Sequence, residues 1–211
     1  MSGGYGTDAL DIVTTTPSGS GTPTLSSVVG LCNSALIMLG QELISSLNDA
    51  SEAARVCRNK WPEVRDAVLR EAKWRCLVKR AELARLAEVP AYGFLYKYQL
   101  PTDCYLVLEL SVATAAWGIE GKALLTDETQ AFISYIGYDT QIDNVGLFDS
   151  LLSAAIIARL AAELAPSLKA ADRFVSLWAA YERKIDLAKA AGRWEAPAEV
   201  LSITTLTADV R

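Results

Sequence analysis

The side chains able to do chemistry in this 211-residue chain are carboxylates and thiols, because it has no histidine. That absence removes Ser–His and Cys–His nucleophile pairs and the commonest metal ligand. Two carboxylate groups lie close enough in sequence to divide acid and base work, as a glycoside hydrolase requires: Glu120 with Asp127 and Glu128, and Asp139 with Asp143. Both groups sit beside Gly or Thr, where turn-forming and capping carboxylates occur, and that is the reading adopted. The four cysteines, Cys32, Cys57, Cys76 and Cys104, form no C-x-x-C pair. With no histidine to complete a zinc site they read as reduced thiols packed among apolar neighbours. Gly19-Ser20-Gly21 lacks the lysine of a phosphate-binding loop. Tyr92, Phe94, Tyr96 and Tyr98 have the spacing of an aromatic strand on which bases stack. Only Lys97 is interleaved with them, which favours packing in a core or an interface. No catalytic residue, metal ligand or cofactor is assigned from these groups.

Charge and hydropathy narrow the class. Hydrophobic residues make up 51% of the chain, enough for a sizeable core. No apolar run approaches the about 20 residues that cross a bilayer. The start, MSGGYGTDAL, has no basic region followed by an apolar one, so it does not read as a secretory signal. The expectation is a soluble protein with no membrane span, made in a cytosol. The net charge is -5, which argues against a general nucleic-acid binder. The charge is uneven: Glu52–Glu88 holds 10 basic and 6 acidic residues, leaving 10 basic and 19 acidic elsewhere. A basic surface facing an acidic partner or a neighbouring subunit accounts for that distribution; so does a solvated helix face with i,i+4 pairs such as Glu71 with Arg75.

The elements follow from periodicity. Residues 1–24, rich in Gly, Ser and Thr, read as a flexible arm. Thr24 or Ser26 caps a first helix with the stripe Val28, Leu31, Cys32, Ala35, Leu36 and Leu39, closed by Gly40. Asp49 with Glu52 forms a capping box for a second helix over 50–74, extendable to Arg85. Pro62 should kink or restart it. Strands at 96–100 and 105–110 flank a Pro-Thr-Asp turn, 117–125 forms a hairpin about Gly121, and 131–138 is one more short strand. A helix through Leu151, Leu152, Ala155, Ile156 and Leu160 ends at Pro166. Ser167 caps a last helix striped by Phe174, Leu177, Trp178, Tyr181, Ile185 and Ala188, stopped by Gly192. Residues 199–211, EVLSITTLTADVR, are β-branched and extended. The expected fold is mainly α: a helical bundle from 25–95 and 141–195, a small inserted β subdomain at 96–140, and extended arms at 1–24 and 196–211.

One run of residues carries a family resemblance. Ala54, Arg55, Cys57, Trp61, Pro62, Arg65, Asp66, Leu69 and Trp74 are followed by Gly93, Phe94, Tyr96, Tyr98, Leu100, Pro101, Asp103 and Leu108. Further along stand WGIEGKALLTDE and FDSLLSAAIIARLAAELA. In this order they resemble the head-to-tail adaptor (connector) family of tailed bacteriophages, of the tail tubular protein A type. Each motif is short; their number and collinearity over about 28–195 carry the resemblance. Lys73-Trp74-Arg75-Cys76 departs from the family's PWNFA, and the 1–24 arm has no counterpart.

The resemblance implies a structural protein rather than an enzyme. Such adaptors form a ring, usually dodecameric, under the portal of a capsid. The ring extends the DNA channel and docks the next tail component, a nozzle or stopper. Double-stranded DNA passes without sequence-specific binding, and the site of action is the head–tail junction of a virion assembled in the host cytoplasm. On this reading Arg55, Arg58, Arg65 and Arg70 are candidates for the subunit interface. Val200, Leu201, Ile203, Thr205, Leu206 and Val210 are candidates for portal binding by strand addition. Trp61, Pro62, Trp74, Pro101 and Asp103 are structural. The alternatives are a tail-borne, carboxylate-based cell-wall hydrolase and a DNA-packaging accessory protein with a basic helix.

Overall fold

The computed structural model describes residues 27–194. The expected arms at 1–24 and 196–211 lie outside the described residues, as do the candidate caps Thr24 and Ser26. Four helices run through the described chain: α1 (Val28–Leu39), α2 (Glu52–Glu71), α3 (Ser150–Leu164) and α4 (Phe174–Trp194). Seven strands fill the interval between α2 and α3: β1 (Val78–Glu82), β2 (Ala84–Arg85), β3 (Tyr96–Gln99), β4 (Cys104–Leu110), β5 (Trp117–Glu120), β6 (Ala123–Thr126) and β7 (Phe132–Gly137). They form two antiparallel sheets, of order β1-β7-β4 and β2-β3-β6-β5. The fold is therefore mixed α/β, which corrects the expectation of a mainly α bundle with a small β insertion.

The layers follow from alternation along β7. Ile136 joins the core shared with the helices, whereas Ile133 and Tyr135 join a second core between the sheets. Successive side chains of a strand point to opposite faces, so the three-stranded sheet is the middle layer. Helices cover one of its faces and the four-stranded sheet covers the other. Helix α3 packs against α1, α2 and α4 and is the hub of the helical layer.

Local chemistry explains the helix ends. Ser27 accepts the Gly30 N–H at 3.0 Å and starts α1. At its end Gly40 takes φ 68°, and the N–H groups of Gly40 and Gln41 close on the carbonyls of Ile37 and Leu36. Ser51, not Asp49, caps α2 by accepting the Ala54 N–H at 3.2 Å. Asp49 instead closes the preceding loop on the N–H groups of Ser45 and Ser46. Helix α2 neither stops nor restarts at Pro62. Pro62 and Arg58 are both exposed, and Pro62 leaves the Arg58 carbonyl without its helical donor. Asp149 caps α3, and Pro166 lies just past its end. Ser167 does not cap α4; a 3-10 turn at Ala171–Arg173 leads into it. Gly192 lies inside α4, which continues to Trp194.

The largest local correction falls at 75–85. The second helix, read over 50–74 and extendable to Arg85, ends at Glu71. A 3-10 turn at Arg75–Leu77 then leads into β1 and β2. The run Val78–Arg85 has good helix formers, yet all five residues of β1 pair with β7. Partner strands override a propensity difference of well under about 1 kcal/mol per residue. The β region thus starts at Val78 rather than at 96. The Pro-Thr-Asp turn also joins different partners than a hairpin would: β3 pairs with β2 and β6, while β4 pairs with β7. The turn hands the chain from the outer sheet to the middle one. The hairpin about Gly121 is present, with β5 on β6 and Gly121 at φ 59°.

Candidate functional site

Helix α2 carries most of the candidate residues, and its two faces behave differently. Ala54, Cys57, Trp61, Val64, Arg65, Val68 and Leu69 are buried. This is a stripe at helical spacing with one cation in it. Arg55, Arg58 and Arg70 are exposed. Arg55 makes a 3.7 Å pair with Glu52 one turn away, while Arg58 and Arg70 have no ion pair within the described residues. Three of the four candidate interface arginines are thus on the surface. Arg65 is not: only 7% of its side chain is exposed, which corrects its placement on a docking surface.

Arg65 belongs to an internal joint centred on Asp143. Asp143 Oδ2 accepts the Trp61 indole N–H at 2.8 Å. Its Oδ1 accepts from Arg65 Nη1 at 3.1 Å and from the Tyr138 hydroxyl at 2.9 Å. Asp143 adopts φ 47°, a left-handed conformation that Asp tolerates better than most residues. Arg65 Nε also donates to Asp66 at 2.8 Å, and the Tyr105 hydroxyl donates to the same Asp66 oxygen at 2.8 Å. The joint therefore ties α2, the edge strand β4, the end of β7 and the segment before α3. Burial opposes the Arg65 charge, but Asp66 and Asp143 more than restore it, and its pKa rises. Burial pushes the Tyr105 phenol up to about 12, helped by its bond to Asp66. Tyr138 is raised further, first by burial and then by its bond to Asp143.

A second network spans three helices. Glu71 on α2 accepts from Arg159 on α3 and, at 2.6 Å, from the Tyr181 hydroxyl on α4. Arg159 also donates to Glu163 at 3.0 Å and lies over the rings of Trp178 and Tyr181. Glu71 is thus engaged across the helical layer.

The remaining structural candidates have definable work. Trp74 lies beyond α2, and its indole N–H donates to the Val68 carbonyl at 2.8 Å. Val68 is one of the last four carbonyls of α2, which lack helical donors. Asp103 pairs with Lys79 at 2.7 Å and accepts the Tyr135 hydroxyl at 3.2 Å, linking all three strands of the middle sheet. Gly137 sits beneath this cluster, where an added Cβ would stand 2.7 Å from both Lys79 and Tyr135. Pro101 precedes Asp103 in the link between the sheets, half-buried beside Leu100. The candidate portal residues Val200, Leu201, Ile203, Thr205, Leu206 and Val210 lie outside the described residues.

Three of the carboxylates weighed for hydrolysis, Asp127, Asp139 and Asp143, accept structural hydrogen bonds. Asp143 holds three donors. Asp139 closes a turn on the Gln141 N–H, and Asp127 accepts the Leu95 N–H, each at 2.8 Å. The carbonyl of Glu128 accepts the Tyr98 hydroxyl at 2.7 Å. Cys32 and Cys57 are buried against each other between α1 and α2; their mutual hydrogen bond and burial push the Cys32 thiol up. Among the described residues no group of three or more His, Cys, Asp or Glu is placed to hold a metal ion. No described helix is long and apolar enough to cross a membrane. No protein-family model matches the chain, and no curated protein is similar to it.

Proposed function

We propose that this chain is a head-to-tail adaptor of a tailed phage, a structural subunit that closes a ring beneath a portal. The observation that carries the reading is the collinear run of motifs from Ala54 to Leu164, with the Trp-Pro helix, the aromatic strand and Leu-Pro-Thr-Asp in family order. The exposed arginines Arg55, Arg58 and Arg70 on α2 give one face of the subunit a basic character. Exposed Glu109, Glu120 and Asp127 lie on the strands and turns of the β layers. Different patches of opposite sign suit a heterologous, head-to-tail contact, which makes a ring when the rotation closes. Exposed charge pairs are weak singly, so the ring forms on a portal template and weakens with salt. The candidate segment from Val200 to Val210 is assigned to the portal contact, and the chain supplies no chemical step.

The test is mass photometry of the purified protein with portal rings, at low and high salt. A portal-dependent multimer that dissolves as salt rises supports the reading. A chain that stays at 22.8 kDa with portal present, or a ring that forms alone and persists in high salt, contradicts it.

A further inference from the structure

The outer sheet carries a groove on one face and a protruding loop on the other. On the inner face β5 pairs with β6, placing Trp117 opposite Thr126 and Ile119 opposite Leu124. Cross-strand partners share a face, and Leu124 belongs to the core between the sheets. Thr126 and Leu124 are fully buried, yet Trp117 and Ile119 are 37% and 46% exposed. The middle sheet ends at β4, with no described strand beyond it to cover β5. A groove of about 610 Å³ remains there, between Cys104–Val107 of β4 and Trp117 and Ile119 of β5. Arg70 and Lys122 also line it, and no carboxylate does. Neither cation has an ion pair among the described residues, so the groove is apolar with uncompensated positive charge.

On the opposite face lies the loop between β2 and β3, residues 86–95. The Phe94 ring stands 3.4 Å from the place a Cβ would take on Gly118. Gly118 alternates with Trp117 and Ile119 along β5, so Phe94 packs on the face turned away from the groove. The Leu95 N–H donates to Asp127 at 2.8 Å, and Glu88 pairs with Lys97 at 3.0 Å. Gly93 turns the chain at φ 86°, and Pro90 restricts Val89 to extended backbone. Between these anchors Val89, Tyr92 and Leu95 are 66%, 87% and 60% exposed. Glu88 is the one charged residue of the loop. The tip is thus a pre-ordered apolar knob with a single carboxylate beside it.

We infer that this loop docks into the β4–β5 groove of a second copy of the chain, with Tyr92 against Trp117 and Ile119 and Glu88 toward Arg70 and Lys122. The apolar tip matches the apolar floor, and the one carboxylate meets the two cations that lack a partner. The outer sheet stands between a chain's own loop and its own groove, so the two surfaces meet between copies. Knob and groove are different surfaces, which makes the contact heterologous, the kind that closes a ring or extends a row of subunits. A contact this small is weak and transient by itself. It stands on these two surfaces and not on the adaptor reading, whose portal test can fail without touching it.

Cys104 lines the groove, so disulfide trapping reads the contact even when it is transient. Full-length Tyr92→Cys with Cys104→Ser is mixed with isotope-labelled wild-type chain, oxidised with glutathione disulfide and mapped by peptide mass. A link from position 92 of one chain to Cys104 of the labelled chain is expected. It should form at least about tenfold faster than the link from a Val175→Cys, Cys104→Ser control, because docking raises the local thiol concentration. Val175 is exposed on α4, outside both surfaces. Equal rates overturn the inference. So does a link within one chain in Tyr92→Cys with Cys104 retained, which would place the loop over its own groove. As a second measurement, the amide resonances of Val89, Ile119 and Gly121 in the wild-type chain are expected to shift with protein concentration and to stay fixed in Tyr92→Asp. Shifts absent from the wild type, or kept in Tyr92→Asp, overturn the inference as well.

Discussion

The helical layer with the middle sheet, and the outer sheet, are held by cores of very different size. The first buries Leu31, Leu36, Trp61, Val64, Leu69, Ile136, Leu152, Ile156 and Leu160 among many others, and is crossed by two polar networks. The second rests on Leu83, Tyr98, Leu110, Leu124, Ala131, Ile133 and Tyr135. Stability scales with apolar area removed from water, so the outer sheet is the less strongly held body. Its exposed apolar side chains include Tyr92 and Leu95 before β3, and Trp117 and Ile119 on β5.

The comparison breaks most readily at Asp143. Asp143→Ala leaves the buried Arg65 charge without one partner and removes the acceptor of Trp61 and Tyr138. The expected cost is about 3–5 kcal/mol, read from urea unfolding, with the whole molecule affected. Leu124→Ala in the outer core costs about 2–5 kcal/mol but acts locally. Hydrogen exchange should accelerate in β3, β5 and β6 and stay unchanged in α1 and α3. If α1 and α3 accelerate equally, the two regions are one cooperative unit.

Smaller effects sharpen the same contrast. Tyr105→Phe removes the bond to Asp66 and costs about 0.5–1.5 kcal/mol. The fold holds the Tyr105 and Tyr135 phenols up to about 12, from an ordinary 10.0, through burial and their carboxylate partners. A pKa raised by folding contributes stability that is whole below pH 10 and is lost as pH rises through 12. Ultraviolet titration should therefore show these two phenols ionising late, together with loss of the middle sheet. The smallest effect is expected from Arg55→Ser with Arg58→Ser. Both side chains are exposed, so stability should move by no more than about 0.5 kcal/mol. Assembly on a portal should weaken clearly, and an unchanged assembly yield removes α2 from the subunit contact.

Legibility in the sequence followed the same division. The stripes of α1, α3 and α4 repeat every three or four residues over several turns, and Gly40, Gly121 and Pro166 mark ends where the chain does turn or stop. The outer hairpin was readable because Gly121 separates two short apolar runs. The strands at 78–85 were not: Lys79, Arg80, Ala81, Glu82 and Ala84 suit a helix, and only pairing of β1 with β7 and of β2 with β3 makes them extended. The Asp143 joint was hidden for a related reason. Asp143 reads as a turn residue beside Asp139, and its partners Trp61 and Arg65 lie 82 and 78 residues away. An arginine in the middle of an otherwise apolar stripe was the one available signal. It marks a buried cation that needs a carboxylate.

Native-state hydrogen exchange across both sheets and all four helices tests the central contrast most directly. The account predicts that β3 and β6 open at a free energy well below that of α1, α3 and β7, as a separate unit. Equal protection in β3, β6, α1 and α3, with a single global opening, would contradict it.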